Sequence, residues 1–304
     1  MIASAEGSQT PTETLVNERI RRERNNLAPA ELRVVEALLA NYPIAGLGSV
    51  GQLAATSGVS APTVLRLLTK LGFGGYHEFR EQLRSEVAAR LFTPVQAYPD
   101  SAGSGPGAEL SRAEQAFTEV VLTTFRGLSP DAFAAAVTSL THLEGQVFIT
   151  GGRFSGVIGQ HLTAYLQTLR PGVVGVPAEG GQRARDLLSI DSSSVVVVFD
   201  FRRYQPDTVE FALVAKKQGA RVLLITDPYL SPLAPEADIV LTTSVAGPPP
   251  FDSGVGAIML CETLVASVAA ALGDTARSRL ATFEIQSNGV DPDVTAQLRA
   301  AGLM

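Results

Sequence analysis

The stretch SVVVVFDFRRYQPDT, residues 194–208, opens on a short Val-rich apolar run and passes into a charged segment. A bounded apolar run of this length reads as a strand buried on both faces, as parallel sheets require. Four more such runs surround it: QVFIT (146–150), GVVGV (172–176), RVLLIT (221–226) and ADIVLTT (237–243). Most of the gaps between them are long enough for a helical crossover, which predicts five parallel strands with helices on both faces, a doubly wound α/β domain. The shorter gap, 227–236, contains prolines and is expected to cross as a loop or single turn. Two helical stretches, about 108–127 and 130–141, precede the first strand. The segment GVGAIMLCETLVASVAAALG (254–273) is apolar on more than one face, as in a helix buried in a core or subunit interface.

Working towards the N-terminus, TPVQAYPDSAGSGPG (93–107) mixes prolines and glycines with small polar residues and reads as a linker. Before it the pattern is helical. APAELRVVEALLANYP aligns Leu32, Val35, Leu38 and Leu39, and YHEFREQLRSEVAARL aligns Phe79, Leu83, Val87 and Leu91. The expected division is an all-α domain over 15–92, the linker 93–107 and an α/β domain over 108–304. The first fourteen or so residues are polar and aperiodic, and fraying is expected there.

At 304 residues and 45% hydrophobic, the chain has material for two cored domains. No basic segment leads into an apolar one near the N-terminus, and no run reaches about 18 consecutive apolar residues, so neither export nor membrane insertion is expected. One cysteine, Cys261, and three scattered histidines exclude an internal disulfide and give no metal-ligand spacing, in keeping with a reducing cytoplasm. No cofactor is expected. The net charge of −6 is unevenly placed: residues 1–92 carry ten Lys and Arg against nine Asp and Glu, the remainder fourteen against twenty-one. The acidity therefore belongs to the second part.

The segment VGQLAATSGVSAPTVLRLLTKLGF (50–73) has the layout of a helix-turn-helix. Ala54 is small where two helices cross, and Gly58 stands at the turn, where a positive φ is commonly needed. Val59, Val64 and Leu67 are spaced to fill the wedge. Ser60 is placed to cap the second helix and Pro62 falls in its first turn. This leaves Ser60, Ala61, Pro62, Thr63, Arg66, Thr69 and Lys70 on or beside the face that would enter a major groove. Arg66 is the foremost candidate, either for a guanine edge or for a phosphate, while Ser60 and Thr63 suit phosphate positioning.

The stretches LAPAELRVVEALLANYP and GVSAPTVLRLLTKLGFGGYHEF resemble the RpiR-type bacterial transcriptional regulators. Val59, Ser60, Thr63, Val64, Arg66, Lys70, Leu71, Gly72, Phe73, Gly75, Tyr76 and Phe79 stand where that family's pattern puts them. The resemblance covers about 15–275. It implies an N-terminal helix-turn-helix joined to a C-terminal sugar isomerase (SIS) domain, operator double-stranded DNA as partner, a small metabolite effector, often a phosphosugar, and dimers or higher homo-oligomers.

The ligand loops depart from the family. Its first glycine-rich loop appears as TGGRFSG, keeping Gly152 and Ser155 but placing Arg153 where a glycine is usual. A Gly-rich turn into a helix opened by Ser155 presents N–H groups to an anion, though a tight turn without ligand has the same sequence. The hydroxyl run that follows the third strand in phosphosugar-binding relatives is replaced by Asp200, Arg202 and Arg203. An aspartate repels a phosphate and arginines attract one or grip a carboxylate. Arg153, Arg202 and Arg203, with Asp200, form either an anion pocket at the strand ends or a structural ion pair closing a vestigial one.

Sugar isomerisation needs a base, and only Glu262 and His161 are candidates in the α/β half. Both are placed within helices rather than on strand-end loops. The resulting expectation is a cytoplasmic, non-enzymatic DNA-binding regulator whose SIS-type domain binds a phosphosugar, sugar acid or other carboxylate. The alternatives are a sugar-phosphate isomerase and a regulator whose SIS-type domain only dimerises.

Overall fold

The computed structural model describes residues 15–91, 93–98, 105–177, 180–287, 292–300 and 302. The N-terminal stretch expected to fray lies outside them, as does part of the linker. The chain divides into two compact units, 1–90 and 91–304.

The first unit is helical, with α1 (Val16–Glu23), α2 (Pro29–Leu39), α3 (Val50–Thr56), α4 (Ala61–Lys70) and α5 (Tyr76–Leu91), whose end crosses the unit boundary. Ser49 starts α3 by a reciprocal cap: its Oγ accepts from the Gln52 amide at 3.2 Å, and the Gln52 side chain accepts from the Ser49 amide at 2.7 Å. Gly58 makes the turn into α4 at φ 62°. Val64, Leu67 and Leu68 bury against Leu53 and Ala54, while Val59 is only half-buried. Gly46 permits the approach of α5, since a Cβ there would lie 2.3 Å from Leu83 Cδ1.

Along α5 the buried line runs through Phe79, Gln82, Leu83 and Glu86, whereas Leu91 is 72% exposed. This corrects the expected Phe79, Leu83, Val87, Leu91 face. Glu86 turns inward because it accepts the Val16 amide at 2.8 Å and the Tyr42 hydroxyl. Burial pushes its carboxyl pKa up.

The second unit contains α6 (Gly105–Gly127), α7 (Pro130–Thr141), β1 (Val147–Gly151), α8 (Ser155–Leu169), β2 (Val173–Gly175), α9 (Gly180–Leu187), β3 (Val195–Asp200), α10 (Pro206–Lys217), β4 (Arg221–Thr226), β5 (Ile239–Thr242), α11 (Val255–Leu272), α12 (Asp274–Ser287) and α13 (Pro292–Ala300). Helix α6 starts inside the expected linker. The five strands are parallel in the order β2-β1-β3-β4-β5. Alternate residues serve opposite faces: Val197 and Phe199 join a core with Leu162, Leu166, Leu260 and Leu264, while Val196 and Val198 join one with Phe211, Ala212 and Ala215. The 227–236 crossing consists of turns.

By length and mean hydropathy α11 is long and apolar enough to cross a membrane, although Glu262 interrupts its apolar run. In the fold it is a core helix: Gly256, Ala257, Leu260, Cys261, Leu264 and Val268 are buried, and burial pushes the Cys261 thiol up to about 12.

Candidate functional site

In the first unit α4 follows the turn at Gly58 and presents Pro62, Leu65, Arg66 and Thr69 outward. Ser60 stands at the N-cap position without capping α4 through its side chain; its Oγ instead lies 3.1 Å from Thr63 Oγ1. Thr63, expected outward, is 7% exposed. Its hydroxyl accepts from Arg66 Nη2 at 3.2 Å and braces the arginine. Lys70 reaches back to α2, with Nζ 2.8 Å from Glu31 Oε2 and 3.3 Å from the Asn26 carbonyl. Glu31 also accepts the Ala28 amide at 2.8 Å and its pKa lies below the usual value, the bonds from Lys70 and Ala28 outweighing burial. Leu65, 42% exposed beside Arg66, was not singled out in the sequence. Its position in an apolar helical pattern concealed it.

The order reversal between β1 and β3 opens a crevice at their carboxyl ends, the usual ligand position in such sheets. Here the chain's own groups fill it. Ser155 Oγ donates to the Phe199 carbonyl at 2.7 Å and accepts the Gly152 amide at 2.9 Å, which closes the β1 turn. Arg183, which sequence reasoning missed, enters from α9 and is 5% exposed. Its guanidinium donates to the Pro177 carbonyl at 3.1 Å, to Asp207 Oδ2 at 2.7 Å, and to Gly151 O and Thr208 Oγ1 at 3.3 and 3.2 Å. Arg153 is exposed on the β1 turn.

On the other side of β3, Asp200 is buried, accepting the Gln205 amide at 3.2 Å and the Ser231 hydroxyl. Asp227, also missed, lies just beyond β4 and accepts the Tyr204 hydroxyl at 2.9 Å, the Tyr229 amide at 2.8 Å and the Arg202 amide. Both carboxyls are pushed up to about 6, chiefly by burial, with the Asp227 charge contributing to the rise of Asp200. Arg202 is committed to Asp252 through both ends of its fork, with Nε 2.7 Å from Oδ2. Burial opposes its charge, but Asp252 holds its pKa above the ordinary value. Arg203 is exposed, takes φ 66° and makes no ion pair among the described residues. The three expected arginines thus differ in role: Arg153 is exposed on the β1 turn, whose Phe154 lies against Phe251 with ring centroids 6.5 Å apart, Arg202 is neutralised, and Arg203 lines a cavity of about 220 Å³ that Phe251 also borders.

His161 and Glu262 approach one another, with Nε2 3.6 Å from Oε1, and His161 packs edge-on to Tyr165. They lie on α8 and α11, and neither lines the cavity beside Arg203. Among the described residues no three His, Cys, Asp or Glu side chains gather as a metal site would require.

A turn-linked pair of helices with an exposed arginine, followed by a five-stranded parallel sheet with a charged switch region, defines a DNA-binding helix-turn-helix regulator that carries an SIS domain. Residues 14–90 match the helix-turn-helix domain of the rpiR family and residues 140–271 match the SIS domain. The chain belongs to the RpiR-type family of transcriptional regulators. It is 27% identical over 225 residues to the HTH-type transcriptional regulator HexR of Pseudomonas aeruginosa, covering 74% of this chain and 77% of that one. An uncharacterized HTH-type transcriptional regulator of Haemophilus influenzae is 24% identical, covering 71% and 75%. In structure, the sugar isomerase domain of an RpiR transcription factor from Sphaerobacter thermophilus overlays with a TM-score of 0.54 at 23% identity, covering 60% of this chain and 99% of that one. The NanR protein of Vibrio vulnificus, complexed with ManNAc-6P, overlays at 0.50 with 18% identity, covering 89% and 98%.

Proposed function

We propose that this protein is a cytoplasmic, non-enzymatic transcriptional regulator whose SIS-type domain senses a small anionic metabolite and adjusts operator binding. The domains are a helix-turn-helix over 15–92, a linking segment over 93–107 and an effector-binding and oligomerising α/β domain over 108–304. Ser60, Pro62 and Arg66 meet the DNA, Thr63 acts through Arg66, and Lys70 holds α4 against α2. A homo-oligomer supplies two recognition helices for a palindromic site.

The observation that carries the sensing role is Arg203, a guanidinium with no ion pair among the described residues, in the left-handed backbone region at the rim of a cavity. Strained residues of this kind persist where the surroundings enforce them, and they cluster at ligand sites. His161 and Glu262 are read as a partner pair between two helices, with Nε2 3.6 Å from Oε1, rather than as a catalytic base. The test is selection of binding sequences from random double-stranded DNA, followed by measurement of operator retention with phosphosugars, sugar acids and small carboxylates. No enriched sequence would sink the regulator reading. An enriched sequence unaffected by every anion would leave a domain that only assembles the protein.

A further inference from the structure

We infer that the effector seat is the cavity beside Arg203 rather than the crevice between β1 and β3, that its ligand is a small monocarboxylate, and that one cavity wall, Thr93–Ala97, registers occupancy. This rests on the sensing role proposed above.

The location follows from where donors remain. In the crevice Arg183 is spent on the carbonyls, hydroxyl and carboxylate already described, and Ser155 is spent on Phe199 and Gly152. A ligand there would have to displace a buried guanidinium and leave its acceptors unpaired, which is costly. The cavity beyond β3 requires no displacement. Arg203 lines it, with the Arg202–Asp252 pair forming a fixed wall and Val245, Pro249 and Phe251 supplying apolar surface. The loop bearing these last residues is tied at its base, where Ser253 N–H donates to the Val245 carbonyl at 2.9 Å.

The ligand class follows from charge and volume. Arg202 and Asp252 cancel, so Arg203 is left as the single uncompensated cation of the wall. Asp227 and Asp200 accept from Arg202, Tyr204 and Gln205, the turn that carries Arg203, and a dianionic phosphate there would meet their field once they ionise. The first turn of α10 cannot compensate: Pro206 lacks an amide hydrogen, Gln205 N–H is given to Asp200, and Thr208 N–H to the Gln205 carbonyl. One carboxylate satisfies one guanidinium fork. About 220 Å³ is below the roughly 300–1,000 Å³ of common ligand pockets, which selects a short carbon body lying on Val245 and Phe251.

The remaining wall is Thr93, Pro94 and Ala97. These belong to a self-closed turn: Ala97 N–H donates to the Thr93 carbonyl at 3.1 Å, and the Gln96 side chain accepts the Thr93 amide at 2.8 Å. Such a turn moves as a unit. It begins two positions after Leu91, the last residue of α5, so a ligand pressing on it acts on chain leading to the DNA-reading helices. Coupling of this kind requires the ligand to bind differently to two seats of the turn, and it is reciprocal with DNA affinity.

The experiment is calorimetric titration of the full chain with lactate, glycerate and gluconate as monocarboxylates, and with inorganic phosphate, glycerol 3-phosphate and glucose 6-phosphate as competitors. At least one monocarboxylate is expected to bind, with affinity at least tenfold lower in Arg203→Gly and in Ala97→Trp, which fills the cavity. Val95, 83% exposed and outside the cavity lining, takes a fluorophore as Val95→Cys, because Cys261 is buried and unreactive. The emission should change with the monocarboxylate and stay constant in Val95→Cys/Arg203→Gly. The inference is overturned if phosphates bind tenfold tighter than carboxylates, if binding survives Arg203→Gly but not Arg153→Ala, or if ligand binds with no change at position 95. Anion binding indifferent to both cavity variants sinks this inference alone, whereas a panel with no binding at all sinks the sensing role with it.

Discussion

Arg183 Nη1 lies 2.7 Å from Asp207 Oδ2 while Nη2 of the same guanidinium reaches the Gly151 carbonyl at 3.3 Å, so one side chain from α9 pins the end of β1 to the first turn of α10. Asp207 is largely exposed, and the ion pair itself is screened. The stabilisation comes mainly from the buried acceptors. Arg183→Met is expected to lower stability by about 2–4 kcal/mol, since several of them would lose their donor together. Chemical denaturation of the full chain measures this, and an unchanged midpoint would mean that water takes over the bonds.

Arg66 is exposed and braced by Thr63. Arg66→Ala should leave the melting curve in place and reduce affinity for a selected operator by about 1–3 kcal/mol, the worth of a good base contact. Wild-type affinity in the variant would remove Arg66 from the interface. Leu65→Ala tests the neighbouring apolar position, where loss of preference for thymine over deoxyuracil at one base is the expected readout.

Arg203 holds a backbone conformation that costs a non-glycine residue roughly 1–2 kcal/mol. Glycine relieves the strain but gives back about 0.5–1 kcal/mol through the freedom of the unfolded chain. Arg203→Gly should therefore melt at or slightly above the wild-type temperature while losing anion binding. A variant that melts clearly lower would show that the guanidinium supports the fold.

The carboxyls of Asp200 and Asp227 titrate near 6 when folded and near 3.9 when unfolded. Between those values the native chain binds more protons than the unfolded one, so their contribution falls as pH rises through this window. Asp191, Asp238 and Glu31 act in the opposite sense, their pKa values being lowered, but that gain is largely complete by about pH 5, while Glu86, raised by burial, adds to the decline. Stability is thus expected to decline between about pH 5 and 7, by on the order of 1–3 kcal/mol. Asp200→Asn should flatten the decline. Melting curves from pH 5 to 8 with equal slopes in both proteins would contradict the assignment.

The sheet was legible because each strand is a bounded apolar run, and RVLLIT coincides with β4 residue for residue. The turn at Gly58 was legible because positive φ has few residues to serve it. Arg183 was not, since an arginine in the charged stretch QRARD reads as a solvated face, and only the closing of α9 over β1 brings it inside. Asp227 was passed over as part of a proline-containing crossing. Glu86 misled for a related reason: it occupies a polar step of an amphipathic pattern, and nothing local announces that the first amide of α1 needs its carboxylate.

In the sheet, Val147 pairs with Val195 across an intervening strand and two helices, and the β5 edge forms only when Ile239 meets Leu223. Parallel pairings of this separation close slowly, whereas helical hairpins assemble from neighbouring residues. On the ribosome, where N-terminal domains fold as they emerge, α1–α5 are complete well before β5 has been synthesised. Every newborn chain therefore passes through an interval in which its helix-turn-helix is already folded while its SIS domain is still unfinished, an interval set by translation time.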